Sequence, residues 1–157
     1  RFTNINLTDE SIVQRKILID NSISMISDHP IFGVGLNNFL VNFPSYQTPT
    51  SFFYLQPVHN VFLLVAAEVG LIGLILFVWF IFSTYKRIMN YESRIKSKSI
   101  NHYPLFTILS SALLLGMFDH YFLTLQQGQL LLSFVLGLCW SKQAKSMFSQ
   151  PSASILP

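Results

Sequence analysis

The sequence predicts an all-α membrane protein in which an outward-facing helical and loop segment is followed by about three transmembrane helices. Three observations predict it. Charged residues make up only 11% of the chain, against 51% hydrophobic and 15% aromatic, whereas a soluble domain carries about 25% charge. Residues 61–82 form a run of 22 with one charged member, Glu68, and about 20 apolar residues suffice to cross a bilayer. Lys86, Arg87, Arg94, Lys96 and Lys98 crowd one short stretch, opposed only by Glu92, as positives do on the cytoplasmic side of a membrane helix.

The elements follow in chain order. Residues 1–58 read as an extracytoplasmic segment with an amphipathic helix. Thr8-Asp9-Glu10 supplies an N-cap hydroxyl and acids for the positive end of the helix dipole. Ile12, Ile19, Ile23 and Ile26 recur at helical spacing up to a stop before Asp28-His29-Pro30. Leu18 and Met25 widen that apolar surface, so the helix is expected to lie against the membrane or against other helices. Gly33 to Phe39 reads as a turn-rich loop, and Pro44, Pro49 and Pro57 keep the next stretch irregular. Residues 59–83 form the first transmembrane helix, with a bend near Gly70. The small residues Ala66, Gly70 and Gly73 allow another element to approach it closely. Residues 84–103 form a cytoplasmic basic loop. Residues 104–140 hold two further membrane segments, one to about Phe122 and one from about Gly128 to Trp140, and 141–157 form a cytoplasmic tail. With so few spans, the chain is expected to be the C-terminal part of a longer polytopic protein.

This topology collects the chemistry on one side. With the basic loop inside, His59 at the start of the first membrane helix and Asp119-His120 between the second and third all face outward. An imidazole titrates near 6.5 and can act as a general base at neutral pH. His59-Asn60 therefore reads either as a base with a hydrogen-bonding neighbour or as an interfacial cap for the helix start. Arg15 reads as a bidentate phosphate ligand or as a cation snorkelling toward head groups. Asp119 and His120 can orient a substrate, pair with a cation or end a helix at water. Glu68, inside its helix, is expected to pair with a helix outside this sequence.

Other chemistries find little support. Without HExxH or another tight ligand spacing, no metal site and no cofactor are expected. Gly33-x-Gly35 lacks the third glycine of a dinucleotide fingerprint, and no nucleophile elbow is present. Cys139 is the only cysteine, which excludes a disulfide within the chain. The basic loop is a topology signal, and nucleic acid is not an expected partner.

In order and spacing, several motifs resemble one family. Arg15 comes first, then Asp28-His29-Pro30-Ile31-Phe32-Gly33-Val34-Gly35-Leu36-Asn37-Asn38-Phe39. Gln56-Pro57-Val58-His59-Asn60 and Ala67-Glu68-Val69-Gly70-Leu71-Ile72-Gly73 follow. Together they are similar to the O-antigen ligase and polysaccharide polymerase superfamily, with an arginine-bearing helix, an "hPxxGxGxxxF" loop, and "HN" followed by "ExGxxG". Phe118-Asp119-His120 through Gln127-Gly128-Gln129 resembles the tail of such proteins, and Ile19 stands where many members carry Trp.

The resemblance implies a multi-pass, GT-C-like, metal-independent glycosyltransferase of the bacterial cytoplasmic membrane. Such enzymes move glycan from undecaprenyl diphosphate to a glycan, lipid or protein acceptor at the outer face. It implies that His59 deprotonates the acceptor hydroxyl and that Arg15 neutralises the diphosphate. Asn60, Asp119 and His120 are placed among the substrate-binding residues, and membrane lipids among the partners. The alternative from another class is a non-catalytic membrane module or transporter fragment. A transporter places its polar groups near the membrane midplane, whereas the topology gathers them at the outer end.

Sidedness is directly measurable. In the intact protein, a cysteine at Ser45 is expected to react with an impermeant thiol reagent added outside, and one at Ser97 to be protected. The reverse pattern would invert the topology.

Overall fold

The computed structural model describes residues 10–47, 55–94 and 103–140. The expected helix start at Thr8-Asp9, Pro49, Lys96, Lys98 and the tail 141–157 lie outside the described residues. Among the described residues six helices occur: α1 Glu10–Asp28, α2 Phe39–Tyr46, α3 Val61–Arg94, α4 Tyr103–Gly116, α5 Tyr121–Thr124 and α6 Gln126–Trp140. No strand occurs among the described residues.

Of the three expected crossings, one helix among the described residues, Val61–Asn90, is long and apolar enough to cross a membrane. Helices α4 and α6, with 14 and 15 residues, fall short of the roughly 20 that a crossing needs. The second expected segment ends at Gly116 and not at Phe122, because residues 117–120 turn the chain. The expected loop from residue 84 is helical as far as Arg94. No Gly or Pro interrupts 83–94, and Lys, Arg, Met and Glu there are good helix formers. Lys86 and Arg87 thus stand on a helix.

Helix α3 is broken at Gly70, whose φ of 71° and ψ of −176° are not helical. The first arm, residues 61–69, folds back along the second, so that the Phe62 and Phe77 rings lie 6.1 Å apart, edge to face. An apolar crevice in the wedge is lined by Val61, Phe62, Phe77, Ile81, Leu113 and Leu132, among others.

A break of this kind orphans backbone groups, and each costs free energy unless it finds a partner. The Pro30–Gly35 loop supplies them. Leu71 N–H, which an unbroken helix would direct to Ala67, donates to Pro30 O at 2.8 Å. Ala67 O instead accepts from Val34 N–H at 2.9 Å, and Glu68 O accepts from Gly35 N–H at 2.8 Å. The loop and the helix touch backbone to backbone. A Cβ on Gly70 would collide with the Ile31 carbonyl, and one on Gly33 with the Glu68 backbone. Both glycines also have positive φ, a region that side chains strain to enter.

Glu68 does not await an outside helix. Its Oε1 accepts from Phe39 N–H at 3.3 Å, a carboxylate at the positive end of α2. That contact explains why part of the expected irregular stretch is helical, with Pro44 inside it. Phe39 and Phe43 stack at 5.6 Å and are buried.

The face of α1 that packs inward is Leu18, Ser22 and Met25, not the isoleucine stripe; Ile19 and Ile23 are exposed. Leu18 and Met25 join Phe39, Phe43, Val58, Leu64 and Ala67 in one core. Each large apolar side chain buried there contributes about 1.5–3 kcal/mol. Helix α4 runs antiparallel to the second arm of α3, with Tyr85 and Ser110 hydroxyls 2.8 Å apart. A second core of Ile88, Leu109, Val135 and Cys139 joins α3, α4 and α6. At the end of α6, Arg87 donates to Cys139 O at 2.9 Å and lies 4.9 Å over the Trp140 ring. Trp140 in turn donates from Nε1 to Thr84 Oγ1 at 3.1 Å and stacks on Phe80.

Gly70→Ala is expected to destabilise the detergent-solubilised protein by about 2–5 kcal/mol, from backbone strain plus overpacking. Gly137→Ala, where a Cβ meets nothing within 4 Å, should be neutral or stabilising by about 0.5–1 kcal/mol. Equal thermal unfolding of the two variants would sink the interlocking of loop and helix break.

Candidate functional site

Residues 57–60 turn the chain into α3. Asn60 N–H donates to Val58 O at 2.8 Å, and the Asn60 side chain caps the helix by accepting Leu63 N–H on Oδ1 at 3.0 Å. Its Nδ2 donates to Met117 O at 3.0 Å, a carbonyl left over at the end of α4. One amide thus ties the start of α3 to the end of α4. The cap read from sequence is thus present in the structure.

The tie brings together groups 60 residues apart in sequence. His59 Nδ1 lies 3.3 Å from Asp119 Oδ1. The same Oδ1 accepts the His120 backbone N–H at 2.8 Å and lies 3.9 Å from His120 Nε2. The His59 and His120 rings are 5.1 Å apart at 38°. His59 and Asp119 are partly open, with side chains 22% and 30% exposed, while His120 is buried. Burial pushes the His120 imidazole below the usual histidine range, against the opposing pull of Asp119. Because His59 and Asp119 reach solvent, a water-borne hydroxyl can approach them.

His120 packs its Nδ1 2.6 Å from Thr124 Oγ1, which also donates to His120 O at 3.1 Å. Thr124 was not among the residues singled out from sequence. Its signal is the four-residue spacing from His120, one turn along a helix too short to announce itself. The cluster of His59, Asp119 and His120 also has ligand atoms all within 4.8 Å of one another, a set that no local spacing rule can detect.

Arg15 stands apart from this cluster. It is exposed on α1, one turn before Leu18, on the side that the Leu18–Ser22–Met25 face continues. It forms no ion pair among the described residues. Its link to His59 runs through the core, where Leu18 packs with Val58, the residue before His59.

A family model described as O-antigen ligase matches residues 1–78. That stretch holds Arg15, the Pro30–Gly35 loop, His59-Asn60 and the break at Gly70, while Asp119 and His120 lie beyond it. No curated protein and no solved structure matches the chain.

Asn60→Ala is expected to cost about 0.5–2 kcal/mol through the lost cap, read as lowered thermal stability. An unchanged unfolding temperature would remove Asn60 from its structural role.

Proposed function

Residues 1–78 match the family model of O-antigen ligases, and from that match we propose a metal-independent glycan transfer. The donor is linked to undecaprenyl diphosphate, and the acceptor is a hydroxyl of a glycan, lipid or protein at the outer face of the bacterial cytoplasmic membrane. In this reading residues 1–58 are periplasmic or extracellular, and the chain forms part of a multi-pass, GT-C-like protein with about three spans here.

The observation that carries the reading is the approach of His59 Nδ1 to Asp119 Oδ1 at 3.3 Å. A carboxylate accepting from Nδ1–H fixes the tautomer, so the lone pair sits on Nε2. As the acceptor oxygen attacks the anomeric carbon, its proton passes to Nε2. The imidazolium that forms is stabilised by Asp119, the logic of an orienting acid behind a histidine base. The bond from sugar to diphosphate breaks, and its electron pair leaves with the phosphate oxygen. Arg15 meets that growing charge with a planar two-pronged donor. Asp119 is thereby a positioning residue, and His120 holds it through a backbone N–H.

With purified full-length enzyme and a defined lipid-linked donor, His59→Gln is expected to lose transfer by about 10²–10⁴-fold. An amide can hydrogen-bond but does not take the proton. Wild-type turnover by well-folded His59→Gln would refute the base. Arg15→Lys should impair transfer although it keeps the charge, because a lysine lacks the fork. Full activity in Arg15→Ala would remove the diphosphate role.

A further inference from the structure

We propose that His59, Asp119 and His120 form a binding site for a divalent transition-metal ion of the Zn2+ class, and that its occupancy arrests transfer. The arrest rests on the reading of His59 as the base; the site itself does not.

Geometry comes first. Zinc bonded to nitrogen and oxygen at about 2.0–2.1 Å in a tetrahedron holds its ligand atoms roughly 3.3 Å apart. His59 Nδ1 and Asp119 Oδ1 already stand at 3.3 Å. His120 Nε2 is 3.9 Å from the same oxygen, and the three atoms lie within 4.8 Å of one another. An ion would draw the His120 side chain, with Thr124 behind it, toward the other two ligands. Three protein ligands leave one position open to water, the arrangement of exposed zinc sites. Two imidazoles with one carboxylate favour zinc and its neighbours over magnesium or calcium.

The hydrogen bonds of Thr124 make the second observation. Its hydroxyl has one proton, and His120 O can only accept it. Thr124 Oγ1 must then accept from Nδ1–H of His120, 2.6 Å away. In that tautomer His120 Nε2 carries the lone pair, 3.9 Å from Asp119 Oδ1. Two electron-rich atoms facing each other call for a cation between them. The threonine also plays the part of an outer partner, fixing the tautomer that a metal-binding histidine needs.

An ion on His59 Nδ1 changes what the ring can do. The proton displaced from Nδ1 moves to Nε2, with no net release from the neutral ring. Nε2 then carries N–H and has no lone pair for the acceptor hydroxyl. The same imidazole cannot be metal-bound through Nδ1 and act as a base through Nε2.

The test uses the intact membrane protein in detergent, stripped with EDTA. Titration calorimetry with Zn2+ alone should give saturable binding at one ion per chain. His120→Ala should weaken it by more than the roughly 10–100-fold that loss of an outer partner costs, and substitution with Co2+ should give the visible absorption of a low-coordinate ion in the wild type. Zn2+ should abolish transfer, and EDTA should restore it. Absence of saturable binding, or binding unchanged in His120→Ala, would overturn the site. Zinc bound at the site with transfer unaltered would overturn the arrest. The base is tested separately, by His59→Gln in metal-free buffer. Wild-type activity there overturns the reading of His59, and with it the arrest, whatever the calorimetry finds.

Discussion

Everything near the site depends on one broken helix and the loop that completes it. Gly70 stops the α-helical ladder of α3 in the middle of an apolar stretch, where unpartnered amides and carbonyls are most costly. Three hydrogen bonds from Pro30, Val34 and Gly35 restore what the break removes. The loop therefore cannot leave without exposing the helix, and the helix cannot straighten without expelling the loop. Through this joint α1 and α2 are fastened to the first arm of α3, and Glu68 adds a further bond to the start of α2. The element that bears Arg15 and the element that opens at His59 are parts of one packed body.

A second joint sits where α3 begins. Asn60 uses both ends of its amide, one for its own helix and one for the last carbonyl of α4. That second bond, with the packing of Gly116 against Val61, sets the end of α4 beside the start of α3, where Asp119 meets His59. At the other end, Arg87 and Trp140 close α6 onto α3 with a hydrogen bond, a ring face and a stack. Two polar clasps and one apolar core between them keep the three helices in register.

Much of this was legible in the sequence, for reasons that differ by residue. The bend near Gly70 and the cap at Asn60 follow from local chemistry, because glycine and asparagine have narrow roles at helix ends. The grouping of His59, Asp119 and His120 at one end of the helices was read from charge asymmetry, though not their contact distances. Glu68 was misread because its partner, the Phe39 amide, is 29 positions away and shows no pattern in sequence. The isoleucine stripe of α1 was the stronger periodic signal, yet Leu18, Ser22 and Met25 turn inward. Hydrophobicity says that a face must be covered, and only tertiary contact decides by what. Thr124 escaped notice because four residues of helix give no periodicity to read.

The fold-back of α3 has a consequence for depth. Phe77, which meets Phe62, lies about 10 Å along the helix from Gly70, at 1.5 Å per residue. The arm before the break descends beside the arm after it, so its first residue is lower than its last. His59, just before that arm, is thereby carried back along the second arm to meet Asp119 beyond the end of α4, about 10 Å from the level of the break.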